Sequence, residues 1–128
     1  MNLPGYDVLE SAVSNSEVIF SAQHGLESSL FRQTLPPASQ PQRILAGPVR
    51  YPAISPDGQW LAFSRWSAGA WRLWMRDMRT GEERQLTFAD CNSVTPAWSH
   101  DEQTLFYASD CERLGLTTLR SIPLGSLR

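Results

Sequence analysis

The side chains able to do chemistry are few and scattered. His24 and His100 stand apart in the chain, and neither belongs to an H-E-x-x-H motif or to a cysteine–histidine set at zinc-ligand spacing. They read as surface turn residues. No G-x-S-x-G elbow, no Walker loop and no G-x-G-x-x-G fingerprint occurs. We therefore expect no catalytic residue, no cofactor and no metal. Cys91 and Cys111 are too few for a disulfide scaffold or a structural zinc site, which leaves two free thiols or one bridge. Ser55-Pro56-Asp57-Gly58 and Ser99-His100-Asp101 place an aspartate two residues after a serine, a spacing that serves turn capping.

One stretch has the composition of a stacking surface. Arg65, Arg72, Arg76, Arg79 and Arg84 alternate with Trp66, Trp71 and Trp74, a mixture that single-stranded nucleic acid favours. Asp77, Glu82 and Glu83 sit among them, however, and the chain carries 11 basic against 13 acidic residues. A net charge of -2 gives no electrostatic reason for a polyanionic partner, so we read the tryptophans as packing and expect no nucleic acid. All the basic residues are arginine. No apolar run approaches the roughly 20 residues of a membrane-spanning helix. The segment Met1-Asn2-Leu3-Pro4-Gly5 has neither a basic nor an apolar signal region, so we expect no signal peptide and no membrane insertion. At 128 residues and 41% hydrophobic, the chain has the size and composition of one folded unit.

The elements that position these residues are set by a repeat. Pro52-Ala53-Ile54-Ser55-Pro56-Asp57-Gly58-Gln59-Trp60-Leu61-Ala62-Phe63 recurs 44 residues later as Pro96-Ala97-Trp98-Ser99-His100-Asp101-Glu102-Gln103-Thr104-Leu105-Phe106-Tyr107. A weaker copy lies upstream, from Ala12-Val13-Ser14 to Val18-Ile19-Phe20-Ser21-Ala22. In the middle unit the spacing predicts strands over Tyr51–Ser55, Trp60–Trp66, Trp71–Met78 and Glu83–Thr87. Ser55–Gly58 predicts a type I turn, and Ser67-Ala68-Gly69-Ala70 and Arg79-Thr80-Gly81-Glu82 predict two more. The middle strands are apolar on both faces, whereas a sheet with one wet face would alternate. Four-stranded sheets of about 40–45 residues stacked face to face are the blades of a β-propeller. A β-sandwich is the alternative, but it accounts for neither the repeat nor the doubly apolar unit.

The run from Ala53 to Phe63, with Leu73-Trp74 and Arg84-Gln85-Leu86-Thr87 after it, resembles the repeat of TolB-type (WD40-like, PD40) β-propellers. The third unit is similar but has His100 for the proline and Glu102 for the glycine. The resemblance implies an all-β fold built as a ring of six or so blades, used mainly for binding proteins or other ligands. It also implies that such rings are appended to membrane-anchored regulators and to prolyl-oligopeptidase-like hydrolases.

This chain holds three units: blade 1 over about 8–46, blade 2 over about 50–88 and blade 3 over about 93–124, the last incomplete. Three blades leave two apolar sheet faces open, so we expect two chains to pair as half-rings into a six-bladed homodimer, or the remainder of a longer propeller to complete the ring. The segment Asn2–Asp7 of a partner is the expected donor of the missing outer strand of blade 3. Within such a blade, Cys91 and Cys111 fall in two loops on one rim, within reach of a disulfide. A bridge implies a periplasmic or other extracytoplasmic location, and free thiols a cytoplasmic one. The function expected is that of a non-catalytic interaction scaffold. The alternative is a solute-binding or sensor domain using the central channel. Candidate binding residues on the rim loops are Arg50, Tyr51, Trp66, Trp71, Asn92 and Arg113, while Ser55, Pro56, Asp57, Gly58, Ser99 and Asp101 are read as structural turn residues.

Overall fold

Glycine, proline and serine punctuate the chain at short intervals, and the segments between them are strands. The computed structural model describes residues 3–36, 40–113 and 116–125. Among these residues there is no helix. The first sheet comprises β1 (Asp7–Val13), β2 (Glu17–His24), β3 (Glu27–Thr34) and β4 (Gln42–Leu45). The second comprises β5 (Val49–Ile54), β6 (Trp60–Ser67), β7 (Ala70–Asp77) and β8 (Glu83–Gln85). The third has β9 (Ser93–Trp98), β10 (Thr104–Arg113) and β11 (Leu116–Pro123). Each sheet is an antiparallel meander in chain order, with β1, β5 and β9 at one edge.

Local chemistry fixes the registers. Ser67 pairs with Ala70 across a two-residue turn in which Ala68 and Gly69 have φ of 50° and 84°. Positive φ at both central residues matches the right-handed twist of a tight hairpin. Opposite that turn, Gly58 donates its N–H to the Ser55 carbonyl at 2.8 Å and sits at φ 77°. At the corresponding place in the third sheet Glu102 takes φ 63°, a conformation that strains a residue with a side chain. The first strand of every sheet carries a register shift, at Val8/Ser11, at Arg50/Ala53 and opposite Phe106/Ala108. In the second and third sheets the shift coincides with Tyr51 and Thr95, 44 residues apart and both at positive φ. Such bulges bend a strand and re-aim its side chains.

The sheets stack through their apolar faces. Ile19, Leu30 and Leu45 of the first meet Val49, Leu61 and Phe63 of the second. Ala62, Leu73 and Met75 on the other face of the second meet Leu105, Tyr107 and Leu124 of the third. The middle sheet is thus apolar on both faces because each face is covered. Gly47 lies so close to the first sheet that a Cβ there would stand 1.4 Å from the Ser28 carbonyl oxygen, which explains the glycine at this junction.

Two sequence expectations require correction. The segment Asn2–Asp7 is not held out for donation. Gly5 at φ 81° turns the chain back, Leu3 and Tyr6 lie on the outer face of the first sheet, and Asp7 opens β1; Asn2 is outside the described residues. Among the described residues, the outer face of the first sheet is thus covered at Phe20 and Phe31 but exposes Val8 and Val13, while that of the third sheet exposes Phe106 and Leu119. Cys111 is also not in a loop, because the β10–β11 hairpin is longer than its counterparts and β10 runs on to Arg113.

Candidate functional site

The rim carrying the turns at 24–27 and 67–70 and the inter-sheet loops at 46–48 and 86–92 gathers most of the candidate binding residues. Tyr51 and Trp71 meet edge-to-face, with ring centroids 6.0 Å apart, and Trp71 meets Trp66 in the same way at 5.6 Å. The Arg50 guanidinium lies 4.7 Å from the Tyr51 ring centre. Together with Leu26 and Pro48, the residues Arg50, Trp66 and Trp71 border a groove of about 270 Å³ between the first two sheets. Leu26 and Trp66 are exposed there. Asn92 accepts the Trp71 N–H at 3.0 Å, while its own N–H and amide nitrogen donate to Asp110 at 2.7 and 2.9 Å. Asn92 is therefore a structural strut between the second and third sheets. The Arg113 backbone pairs with Leu116, and its side chain is outside the described residues.

The loop that carries Asn92 is held by a disulfide and by a buried arginine. Cys91 and Cys111 are disulfide-bonded, with Cα atoms 5.0 Å apart. Arg72, itself buried, donates to the Ala89 carbonyl at 3.2 Å and to the Ser67 carbonyl, and it pairs with Asp90 at 2.8 Å. Arg65 and Arg76 both engage Glu83, at 3.1 and 2.8 Å, and Arg65 stacks 4.6 Å from the Trp74 ring centre. These arginines serve the sheet's own carboxylates and rings.

Towards the inner edge, Glu10 is the residue that sequence patterns do not reveal. It sits at the bulge of β1, where its carboxylate accepts Ser21 Oγ at 2.6 Å, the Tyr51 N–H at 3.0 Å and the Arg50 guanidinium. Burial pushes the Glu10 carboxyl up, but the hydrogen bonds from Arg50, Ser21 and Tyr51 outweigh it and hold the group below its ordinary 4.5. The bond to Glu10 holds the Arg50 guanidinium above its usual value. Arg50 and Tyr51 are thus positioned by a carboxylate from the neighbouring sheet. No acidic residue stands in β5 or β9, so the repeat gives no signal for Glu10. Beside this pair, Ser11–Asn15, Pro52–Pro56 and Pro96–Trp98 border a concavity of about 580 Å³ along the inner strands.

The turn residues lie at the opposite rim and repeat one another. Ser55 Oγ donates to Asp57 at 2.8 Å and accepts the Trp60 N–H at 3.0 Å, while Asp57 accepts the Gln59 N–H at 2.9 Å. Ser99, Asp101, Thr104 and Gln103 make the same set at 2.7, 3.0 and 3.0 Å. The Glu102 carboxylate accepts the Asp57 N–H at 2.7 Å, joining the two turns. Pro56 lies between Ser55 and Asp57 at this rim, at the border of the inner concavity. His24 holds the N-terminal segment through a 2.6 Å contact between Nδ1 and the Gly5 carbonyl.

No family profile and no curated protein matches this sequence. Solved structures do. TolB from Acinetobacter baumannii superposes with a TM-score of 0.79 at 16% identity, over 98% of this chain and 32% of that one. A putative TolB from Agrobacterium tumefaciens gives 0.75 at 18%, over 87% and 40%. The β-propeller domain of the trilobed protease from Pyrococcus furiosus gives 0.67 at 17%, over 84% and 35%. The fold is that of a partial β-propeller. Its three sheets are three blades, and the chain spans about a third of the length of these structures. At such identities the likeness establishes the fold, in proteins that include both TolB and a protease propeller.

Proposed function

We propose that this chain is a non-catalytic propeller module for binding and assembly, of the TolB-like protein-interaction type. In this reading it is a half-ring of three blades, closed by a second copy of itself or by further blades of a longer propeller. One observation carries it. Leu30, Leu73 and Leu119 occupy the same place in blades 1, 2 and 3, opposite Ser21, Ser64 and Ala108. Leu30 and Leu73 are 0% exposed under the following blade, and Leu119 is 77% exposed. Phe106, equivalent to the fully buried Ile19 and Ala62, is likewise exposed at 38%. A patch of this kind is a surface made to be covered. The groove beside Trp66 and Trp71 is the site offered to other proteins, on loops held by a rigid frame.

Oxidative footprinting over a dilution series tests the reading. Leu119 and Phe106 should be protected at high concentration, or in the longer protein, and modified on dilution of the isolated chain. Full modification in every state would refute it. A second reading, a solute-binding or sensor domain, draws on the inner concavity beside Glu10 and Arg50. A solute bound there, protecting Pro56 and Trp98 without protecting Leu119, would favour that reading instead.

A further inference from the structure

The two outer faces of the half-ring differ, and the difference lies in four residues. Val18 and Phe20 of blade 1 take the places that Leu61 and Phe63 hold in blade 2 and Leu105 and Tyr107 in blade 3. In blades 2 and 3 those side chains are buried by the preceding blade. In blade 1 the same face meets no other blade among the described residues, yet Phe20 is only 1% exposed and Phe31 is buried beside it. Leu3 and Tyr6 supply the cover. The Tyr6 ring stands edge-on to Phe31 at 5.4 Å and tilted on His24 at 5.0 Å, and Phe31 stacks on Phe20 at 5.6 Å. Among the described residues the segment is tied to the sheet by the His24 contact to the Gly5 carbonyl, while the Tyr6 N–H bond to the Leu3 carbonyl at 3.2 Å only shapes its own turn.

We infer that Leu3–Tyr6 is a displaceable strap occupying the blade-docking face of blade 1, and that its release admits blade 3 of a second copy. The inference rests on the ring-closure reading and adds a control to it. The occupant follows from the registers. Phe106, Leu119 and Ser121 of blade 3 stand where Ala62, Leu73 and Met75 stand in blade 2, and those three pack on the Leu105–Tyr107 face. A copy's blade 3 set against Val18, Phe20 and Phe31 would repeat the contact already made between blades 2 and 3. Val8 and Val13, exposed on the same sheet, extend the receiving face beyond the strap's reach. Displacement exchanges the packing of two side chains and the His24–Gly5 hydrogen bond for a whole blade face, so assembly is opposed by the strap without being forbidden.

Sedimentation velocity of the full chain and its Leu3→Ser/Tyr6→Ser variant tests this, with Leu119→Arg added to each. A face free only part of the time binds with its affinity reduced by that fraction, so release should tighten dimerisation by about tenfold or more. Leu119→Arg should abolish the gain. An unchanged dissociation constant in a folded strap variant overturns the strap, while a wild-type dimer sensitive to Leu119→Arg leaves ring closure standing. Monomers throughout overturn the strap and closure by a second copy. If the strap variant does not fold, hydrogen exchange on the wild-type chain decides. The Tyr6 amide should lose protection as the dimer forms, and unchanged or increased protection there refutes the strap.

Discussion

At the scale of single residues, Glu10 and Arg50 show how the partial propeller sets its inner edge. The Glu10 carboxylate collects three donors from two blades, so it fixes Arg50 and Tyr51 and with them the ring cluster that runs to Trp71 and Trp66. A carboxyl whose folded value lies below its unfolded one stabilises the fold above the unfolded value, here near 4.5. That contribution is lost as the pH falls through the lowered folded value. Glu10→Gln should therefore cost about 1–3 kcal/mol at neutral pH, since bonds to a charged acceptor are lost and Arg50 is left unpaired. It should also flatten the acid limb of stability below 4.5, read by urea unfolding across pH. Equal acid sensitivity in both proteins would contradict this role. Arg50 and Tyr51 were singled out as rim-loop residues, and both lie in β5 beside that loop. Glu10 was not, because its partners lie 40 and 41 residues away and no periodic signal marks it.

Among the elements, the strand positions of blade 2 were readable because three physical signals coincide there: glycine turns, short spacing and apolar residues on both faces. Trp60–Trp66 as read from the pattern became β6 (Trp60–Ser67), and Trp71–Met78 became β7 (Ala70–Asp77). The fourth strand of blade 2 is shorter than Glu83–Thr87, since the Leu86 and Thr87 N–H groups both turn to the Leu73 carbonyl. The extension of β10 past Cys111 was not legible, because it has no counterpart in the other blades. The turn at Glu102 reads as a defect in sequence, a glycine lost from the repeat. In the fold its carboxylate ties blade 3 to the Asp57 N–H of blade 2. Glu102→Ala keeps the left-handed strain and loses the bond, so thermal unfolding should report a loss of about 1.5–3 kcal/mol. Glu102→Gly loses the same bond but relieves strain of about 1–3 kcal/mol, and it should lie near the wild type. A glycine variant as unstable as the alanine one would show that the strain is negligible.

For the whole molecule, three blades are enough to bury two interfaces and too few to close a ring. Composition and repeat length showed that much, and suggested that both ends would be bare. The structure distinguishes the ends: Leu3 and Tyr6 cover Phe20 and Phe31 of blade 1, while blade 3 exposes Leu119 and Phe106. Nothing in the sequence pattern marks Leu3–Tyr6 as a cover, since its role depends on the turn at Gly5 and on His24 arriving from the end of β2. The central claim is that the face of blade 3 is made to be covered. The most direct test is the mass in solution at micromolar concentration, by sedimentation equilibrium, of the wild-type chain beside Leu119→Arg. The wild type should be a concentration-dependent dimer and the variant a folded monomer. A wild-type chain that stays a stable, soluble monomer, indistinguishable from the variant, would contradict closure by a second copy.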